Sequence, residues 1–481
     1  MQRSEPAIAP DLSASRPGSR GAWRWLLPVI LVALATHVFT YFVFRYAPSN
    51  DAREYLLLGM SLSDRGELRL PTGEYAKRMP LYPALIALVD RWQGREVLEY
   101  SALEVQAALA LGCVVWIALA ARRTAGPRAG VVAGLIAALY APYRYLQSMY
   151  LCETLVIFLV TSALWLYLYW LEHRTTPGGW MALGGVSIAC GLALLTRSDA
   201  AVFALPFAVD AACRAGGWAA RAGRVSLVLL GVCACAVGWG ARNSRVIGAF
   251  TLSTIGGLNF HLGHNPDYAA HPGMDTADYH LYERLRAEGL SEVEADRRLY
   301  EMGRRFVGER PGEVVVNALR KIRVWFGSSV TWSAPSTLLI IAWALALAWR
   351  RSDARGAADE PGGAGDAAPR GARWVVIGGV VAVTAAWAAL VYVSMRPWTN
   401  PMFVVPLGFV ALFLYDDCLK VRGLFVGLIL AQLLVAVAFI PLERLRWTVD
   451  CVLMIAIGAA VSRLCERVSS ARNSNKEPRT C

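Results

Sequence analysis

Apolar runs long enough to cross a lipid bilayer recur along almost the whole chain, and this constrains the fold more than any other feature. A helix needs about 20 mostly apolar residues to traverse the hydrocarbon core. Runs of that order lie near 25–46, 101–121, 129–147, 152–171, 180–196, 199–213, 224–241, 332–349, 374–393, 400–415, 421–441 and 447–463. The expected fold is an all-α polytopic membrane protein with about 12 transmembrane helices. The pair at 180–213 is short and hinges at Thr196-Arg197-Ser198-Asp199. Composition points the same way, since 56% of the 481 residues are hydrophobic and only 17% charged. A soluble chain would carry about 25% charged residues, so a soluble enzyme, a disordered chain and a fibrous repeat are all excluded. The 17 Trp and 18 Tyr suit aromatic belts at the bilayer surface.

The first run follows a tail carrying Arg3, Arg16, Arg20 and Arg24. It is too long for a signal-peptide core and reads as a retained helix. With that tail in the cytoplasm, Arg122-Arg123-Arg128, Arg214-Arg221-Arg224, the arginines of 350–373 and those after Arg467 share one side. This obeys the positive-inside rule. The net charge of +12 is then an orientation signal and gives no reason to invoke nucleic acid. The expected setting is the cytoplasmic (inner) membrane, with both termini cytoplasmic. None of the ten cysteines lies in the two long polar segments, 48–100 and 241–323, so they read as small packing residues.

Those two segments belong to the outer face and carry charges of both signs. Segment 280–323 reads as helical, with Glu283, Arg284, Glu294, Arg297, Arg298, Glu301 and Arg305 on polar faces. Its Leu285, Leu299, Phe306, Val314 and Leu319 are expected to lie against the membrane surface. Just after the first span, Ser49 or Asn50 can cap a helix that holds Asp51 in its first turn. Spacing puts Asp51, Glu54 and Tyr55 on one side of that helix. An acid there, beside apolar groups that restrict water, is placed to act as a general base; equally, it can complement the helix dipole.

The first outer segment continues Gly73-Glu74-Tyr75-Ala76-Lys77-Arg78-Met79-Pro80-Leu81-Tyr82-Pro83. An acid after the first helix, a following Tyr and Arg-x-Pro-x-Tyr-Pro opening an amphipathic helix resemble the GT-C glycosyltransferases. The similarity is to bacterial relatives of protein O-mannosyltransferases and aminoarabinose transferases. Ser148-Met149-Tyr150-Leu151-Cys152-Glu153 resembles the family's acid at the outer mouth of the fourth helix. Gly191-Leu192-Ala193-Leu194-Leu195-Thr196-Arg197, Arg242-Asn243 and the run from Gly256 to Pro266 follow in family order. In that run His264 stands where Asn is usual. Glu309-Arg310-Pro311 and Met395-Arg396-Pro397-Trp398 complete the series, the latter departing from the usual Arg-Tyr.

The resemblance implies transfer of a sugar from a polyprenyl-phosphate donor to an extracytoplasmic lipid, glycan or protein, with inversion at the anomeric carbon. It implies Asp51 as base on the acceptor hydroxyl and Glu153 across the mouth. Arg78, Arg197, Arg242 and Arg396 are the candidates for the donor phosphate, and Glu54, Tyr55, Tyr82, Asn259 and Asn265 for further substrate contacts. No cofactor or nucleotide loop is expected. His261, His264, His271 and His280 cluster in the second outer segment, but their spacing promises no metal site and they read as solvated.

The implied organisation is a cytoplasmic tail (1–24), a GT-C-like catalytic membrane module (25–350) that includes outer segments 48–100 and 241–323, a cytoplasmic linker (351–373), C-terminal transmembrane helices (374–463) and a second tail (464–481). The rival readings are a transporter, which predicts repeated halves and acids deep within spans, and a non-catalytic assembly factor. No repeat relates the halves of this chain, and its acids gather at span ends.

Overall fold

The computed structural model describes residues 23–43, 50–269, 280–327, 401–414, 421–441 and 443–474, and every regular element among them is helical. The expected spans at 332–349 and 374–393, the linker 351–373 and Arg396 lie outside the described residues. Five helical stretches among the described residues are long and apolar enough to cross a bilayer, and α1 (Leu27–Val43) and α15 (Arg422–Ala438) are shorter apolar helices. The protein is an all-α polytopic membrane protein.

Two expected spans, 101–121 and the start of 129–147, form one element, α4 (Leu98–Leu139). Its helix breaks at Ala125 and Gly126, and Gly126 takes φ +84°, a conformation costly for any residue with a side chain. Pro127 restarts the helix where a missing N–H does no harm. The second half folds back on the first, so that Gly130 and Gly134 lie against Ala118. After the seven-residue α5 (Ala141–Gln147), α6 (Glu153–Glu172) and α7 (Pro177–Thr196) are uninterrupted. Region 199–213 is not a span of one piece. It is a 3-10 turn, Ser198–Phe203, followed by the ten-residue α8 (Ala204–Cys213), about 15 Å long. The next helix, α9 (Trp218–Ile247), extends past both ends of its expected span.

The spans form a row in which α1 packs on α4, α4 on α6, α6 on α7 and α7 on α9. Helix α16 (Glu443–Ser474) lies behind α4 and α6, with α14 (Pro401–Leu414) against it. Lipid supplies no hydrophobic drive between helices, so close approach of backbones holds them. Gly231 of α9 shows this: its N–H donates to Ser187 Oγ of α7 at 2.8 Å, and a Cβ there would sit 2.1 Å from the Ser187 carbonyl oxygen. Outward faces remain apolar and exposed, among them Leu31 and Phe42 of α1, Leu230 and Val237 of α9, and Leu430 and Leu434 of α15. Such faces suit lipid contact.

Polar groups sort to the two ends of the row. Glu153 opens α6 and Arg197 follows α7, whereas Glu172, at the far end of α6, pairs with Arg123. A 20-residue helix separates these ends by about 30 Å. At the Glu153 end lie α2 (Asn50–Arg65) and α3 (Leu81–Gln93), together with α10 (Gly256–Gly263), α11 (Leu281–Ala287), α12 (Glu292–Glu309) and α13 (Pro311–Gly327). Leu258, Leu262, Tyr282, Ala295, Leu299 and Ile440 give these outer helices a small core of their own.

That core corrects one sequence expectation. Leu299 and Phe306 are buried within the protein and Leu285 packs on the second core, because α11 and α12 fold back over α10. Of the five residues expected at the membrane surface, Leu319 alone is exposed. The charges assigned to polar faces, from Glu283 to Arg305, are all exposed.

Replacing Gly231 by Ala should force α7 and α9 apart. The expected cost is about 1–3 kcal/mol, read as a lower midpoint of thermal unfolding in detergent; an unchanged midpoint would show that the contact yields freely.

Candidate active site

Asp51 and Glu54 are three residues apart on α2 and both reach Arg78. Arg78 Nη2 donates to Asp51 Oδ1 at 2.6 Å and Nε to Glu54 Oε2 at 2.6 Å. Lys77 Nζ lies 2.8 Å from the other Glu54 oxygen and 3.5 Å from Glu283 of α11. From the opposite side, Arg444 at the start of α16 donates through Nη2 to Asp51 Oδ2 at 2.7 Å. Its Nε stands 3.2 Å from Glu153 Oε1, the same oxygen to which Arg197 Nη1 donates at 3.1 Å. Arg197 is held in turn by Asp199, with Nε 3.0 Å from Oδ1. Five segments separated in sequence thus converge as one alternating chain of charges.

The acids differ in exposure. Glu153 is 2% exposed, whereas Asp51 is 17% exposed. Burial alone would raise the Asp51 pKa, but the charges of Arg78 and Arg444 outweigh it and hold the carboxyl well below the usual range. Around this chain open two cavities. The larger, about 770 Å³, is lined by Asp51, Glu54, Arg78, Arg197 and Arg444 and extends to Glu74, Glu283 and Arg286. The smaller, about 280 Å³, shares Lys77, Arg78, Arg197 and Asn259 and adds Thr196, Ser198, Asp199 and Ser253 beside the apolar Met79, Val435, Phe439, Ile440 and Leu445. Two chambers, each of mixed polar and apolar lining, therefore meet at the same guanidinium groups.

The segment that carries Lys77 and Arg78 is pinned by Glu292, the first residue of α12. Its carboxylate accepts from the backbone N–H groups of Tyr75 and Ala76 and from Thr254 Oγ1, at 2.9, 3.1 and 2.8 Å. Arg242, at the end of α9, contributes from outside: its Nη1 donates to the Tyr75 carbonyl at 2.9 Å and it stacks on Trp239. Neither cavity is lined by Arg242.

Other sequence candidates divide in the same way. Tyr55 lines the smaller cavity, its ring beneath Arg78 and its hydroxyl 3.0 Å from Cys152 Sγ. Tyr82 is 2% exposed, stacks edge-on against Tyr55 and accepts from Gln106, so it supports the floor without reaching a cavity. Asn259 lines both chambers. Asn265 is buried and donates to the carbonyls of His261 and Leu262, capping the end of α10 and lining neither cavity. Arg396 and His271 lie outside the described residues.

The histidines also depart from expectation. His280 is exposed, but His261 and His264 are buried because α10 is sandwiched beneath α12 and against α13 and Phe439. Burial, with Lys321 Nζ 3.3 Å from its Nε2, lowers His264 to about 4. Among the described residues no group of three or more His, Cys, Asp or Glu is placed to hold a metal ion. Of the cysteines, Cys113, Cys152, Cys190 and Cys451 are buried packing residues, whereas Cys213, Cys233 and Cys465 are exposed.

Among the site residues that sequence reasoning missed are Arg444 and Glu292. A signal for Arg444 was present, since Arg444 and Arg446 stand together at the end of the last span that the charge pattern assigns to the outside, against the inside bias of positive charge. Glu292 carried none, because nothing local distinguishes a first-turn acid that serves a helix dipole from one that accepts bonds across 217 residues.

Comparison with known proteins agrees with the resemblance. Residues 77–239 match the family model described as dolichyl-phosphate-mannose-protein mannosyltransferase. That segment runs from Lys77 through Glu153 and Arg197; Asp51 and Arg444 lie outside it. The chain is thus similar to the GT-C glycosyltransferases by family match as well as by motif. Among solved structures, it is similar to the apo oligosaccharyltransferase of Archaeoglobus fulgidus (15% identity, TM-score 0.49, 95% of this chain and 52% of that one). It is also similar to ArnT of Cupriavidus metallidurans bound to undecaprenyl phosphate (14% identity, TM-score 0.40, 94% of this chain and 80% of that one). The chain spans about half the length of the archaeal enzyme. No curated protein matches the sequence.

Near this site, Asp296 of α12 accepts from Gly257 N–H at 2.6 Å, yet burial, helped by Glu292, pushes its carboxyl up to about 6. Its protonated form therefore favours the folded state, and that contribution fades as pH rises from about 4 through the folded value. Asp296→Asn, which keeps the acceptor but cannot ionise, should lose less thermal stability than the parent between those two values. Parallel melting curves across that window would refute this.

Proposed function

We propose that the protein is an integral membrane glycosyltransferase that moves a sugar from a polyprenyl-phosphate carrier to an acceptor hydroxyl outside the cytoplasm. One observation carries the reading: Asp51 and Glu153, far apart in sequence, stand at either side of one guanidinium, with Arg78 and Arg197 flanking them where two chambers meet. The match of residues 77–239 to the mannosyltransferase family supports it.

In the proposed reaction the acceptor oxygen attacks the anomeric carbon while the bond from that carbon to the phosphate oxygen breaks. The bonding pair leaves with the polyprenyl phosphate, and the configuration inverts because a single displacement occurs. The acceptor proton passes to Asp51. Arg78 and Arg197 receive the leaving phosphate, each charge-assisted bond contributing about 1.5–3 kcal/mol. A carboxylate of low proton affinity serves here, since the hydroxyl becomes strongly acidic as its new bond forms. The apolar side chains of Val435, Phe439 and Leu445 on one side of the smaller chamber suit the first part of the isoprenoid, and the larger chamber suits the acceptor. Glu153 orients the acceptor, and Asn259 borders both substrates. This arrangement belongs on the outer face of a cytoplasmic membrane, opposite the Arg123 end of the bundle.

The test is transfer of label from a radiolabelled polyprenyl-phosphate sugar in membranes containing the protein. The parent should yield glycosylated product and Asp51→Asn should yield less than about one part in a hundred of it, with expression and melting behaviour preserved. Parent-like turnover by the variant would remove Asp51 from the mechanism. No product from the parent with any donor would favour a transporter.

A further inference from the structure

We propose that Arg444 is a positioning residue of the transfer reaction, fixing the spacing and orientation of Asp51 and Glu153 and making the last helix part of the active site. The inference rests on the reading of Asp51 as the base. Arg444 spans the two acids with separate nitrogens, 2.7 Å to Asp51 and 3.2 Å to Glu153. At 20% exposure it faces the larger cavity, so its charge is directed into the site and not spent on solvent.

The helix below Arg444 is locked in rotation. Residues two apart on a helix point to opposite sides, and Arg446 points away from the site into the bundle. There it is 1% exposed, donates to the carbonyls of Trp325 and Phe326 at 3.0 and 2.8 Å, and pairs with the buried Asp450 one turn on. Tyr140 also donates to Asp450. A charge group this deep is costly to leave unpaired, so α16 cannot turn about its axis without breaking it. Arg446 thus sets the rotation, and Arg444 delivers it to the acids.

Removing Arg444 changes the charge balance at Asp51 in a definite direction. From α2 itself Asp51 is faced by Glu54, and from the segment before α3 by Arg78 and Lys77. From α6 and the end of α7 come Glu153 and Arg197, both reached across Arg444. Farther round the cavity stand Arg53, Glu74, His280, Glu283 and Arg286. Without Arg444, Arg78 is the single guanidinium among the described residues in contact with Asp51, and burial regains its effect. The proton affinity of Asp51 then rises, and Glu153 is no longer tethered to it.

The experiment compares Arg444→Gln, Arg444→Lys and Asp51→Asn in the same transfer assay, with kcat/KM followed against pH. Arg444→Gln should lower kcat/KM by about tenfold or more, and its acidic limb should move up by about one unit or more. Arg444→Lys should return the limb towards the parent position while recovering only part of the rate, because an ammonium offers one compact nitrogen in place of the two separated ones that space the acids. A rate loss with the limb unmoved, or no loss in either variant, overturns the inference. If Arg444→Gln does not fold, a folded Arg444→Lys with parent kcat/KM still overturns it. Asp51→Asn separates the two failures: an inactive Asp51→Asn beside a parent-like Arg444→Gln leaves the proposed function standing, whereas an active Asp51→Asn removes the base reading itself.

Discussion

The alternating run Arg78, Asp51, Arg444, Glu153, Arg197, Asp199 is the constraint on which the Glu153 end of the molecule depends. Each charge sits at the lip of an apolar bundle, where solvation is incomplete and an unpaired ion is costly. Pairing therefore dictates where four separate segments end. Helix α6 must begin at Glu153, α7 must stop before Arg197, α2 must turn Asp51 inward and α16 must present Arg444. Backbone approach between small residues holds the spans together, but the ion pairs set their register at this end.

Much of this was legible in the chain, for identifiable reasons. Spans are long apolar runs, and length alone marks them, as with α6 and α7. Asp51, Glu54 and Arg78 were legible because local spacing on one helix and a nearby Arg-Met-Pro stretch survive in one dimension. What the sequence hid was convergence. Tyr82, Arg242 and Asn265 look as polar as Asn259, yet the fold turns them into supports under or behind the walls. The single run at 199–213 likewise concealed a 3-10 turn, since composition does not register a change of helical pitch. The outer helices bury Leu299 and Phe306 in each other's company, not in lipid, because an amphipathic stripe does not say which surface it will meet.

The outer helices contribute more than cover. Glu292 ties α12 to the backbone ahead of Lys77, Arg286 of α11 pairs with Glu74, and Glu283 approaches Lys77. The cap is therefore stitched to the first outer segment by ionic contacts while its own interior is apolar. Movement of the cap as a unit would strain these contacts first, and the ends of Lys77 and Arg78 would move with them.

A mouth whose guanidinium groups already hold carboxylates is not an open trap for anions. A newcomer gains Arg78, Arg197 or Arg444 only by displacing an acid that is partly shielded from water. Free orthophosphate or a nucleotide brings nothing to compensate for that exchange. A phosphate tethered to a long hydrocarbon would, because its tail stays in the membrane and holds the head at a high effective concentration beside the mouth as it trades places with a carboxylate. Selectivity for lipid-borne anions over the soluble ones around them would then follow from neutrality, without any group that recognises the lipid by shape.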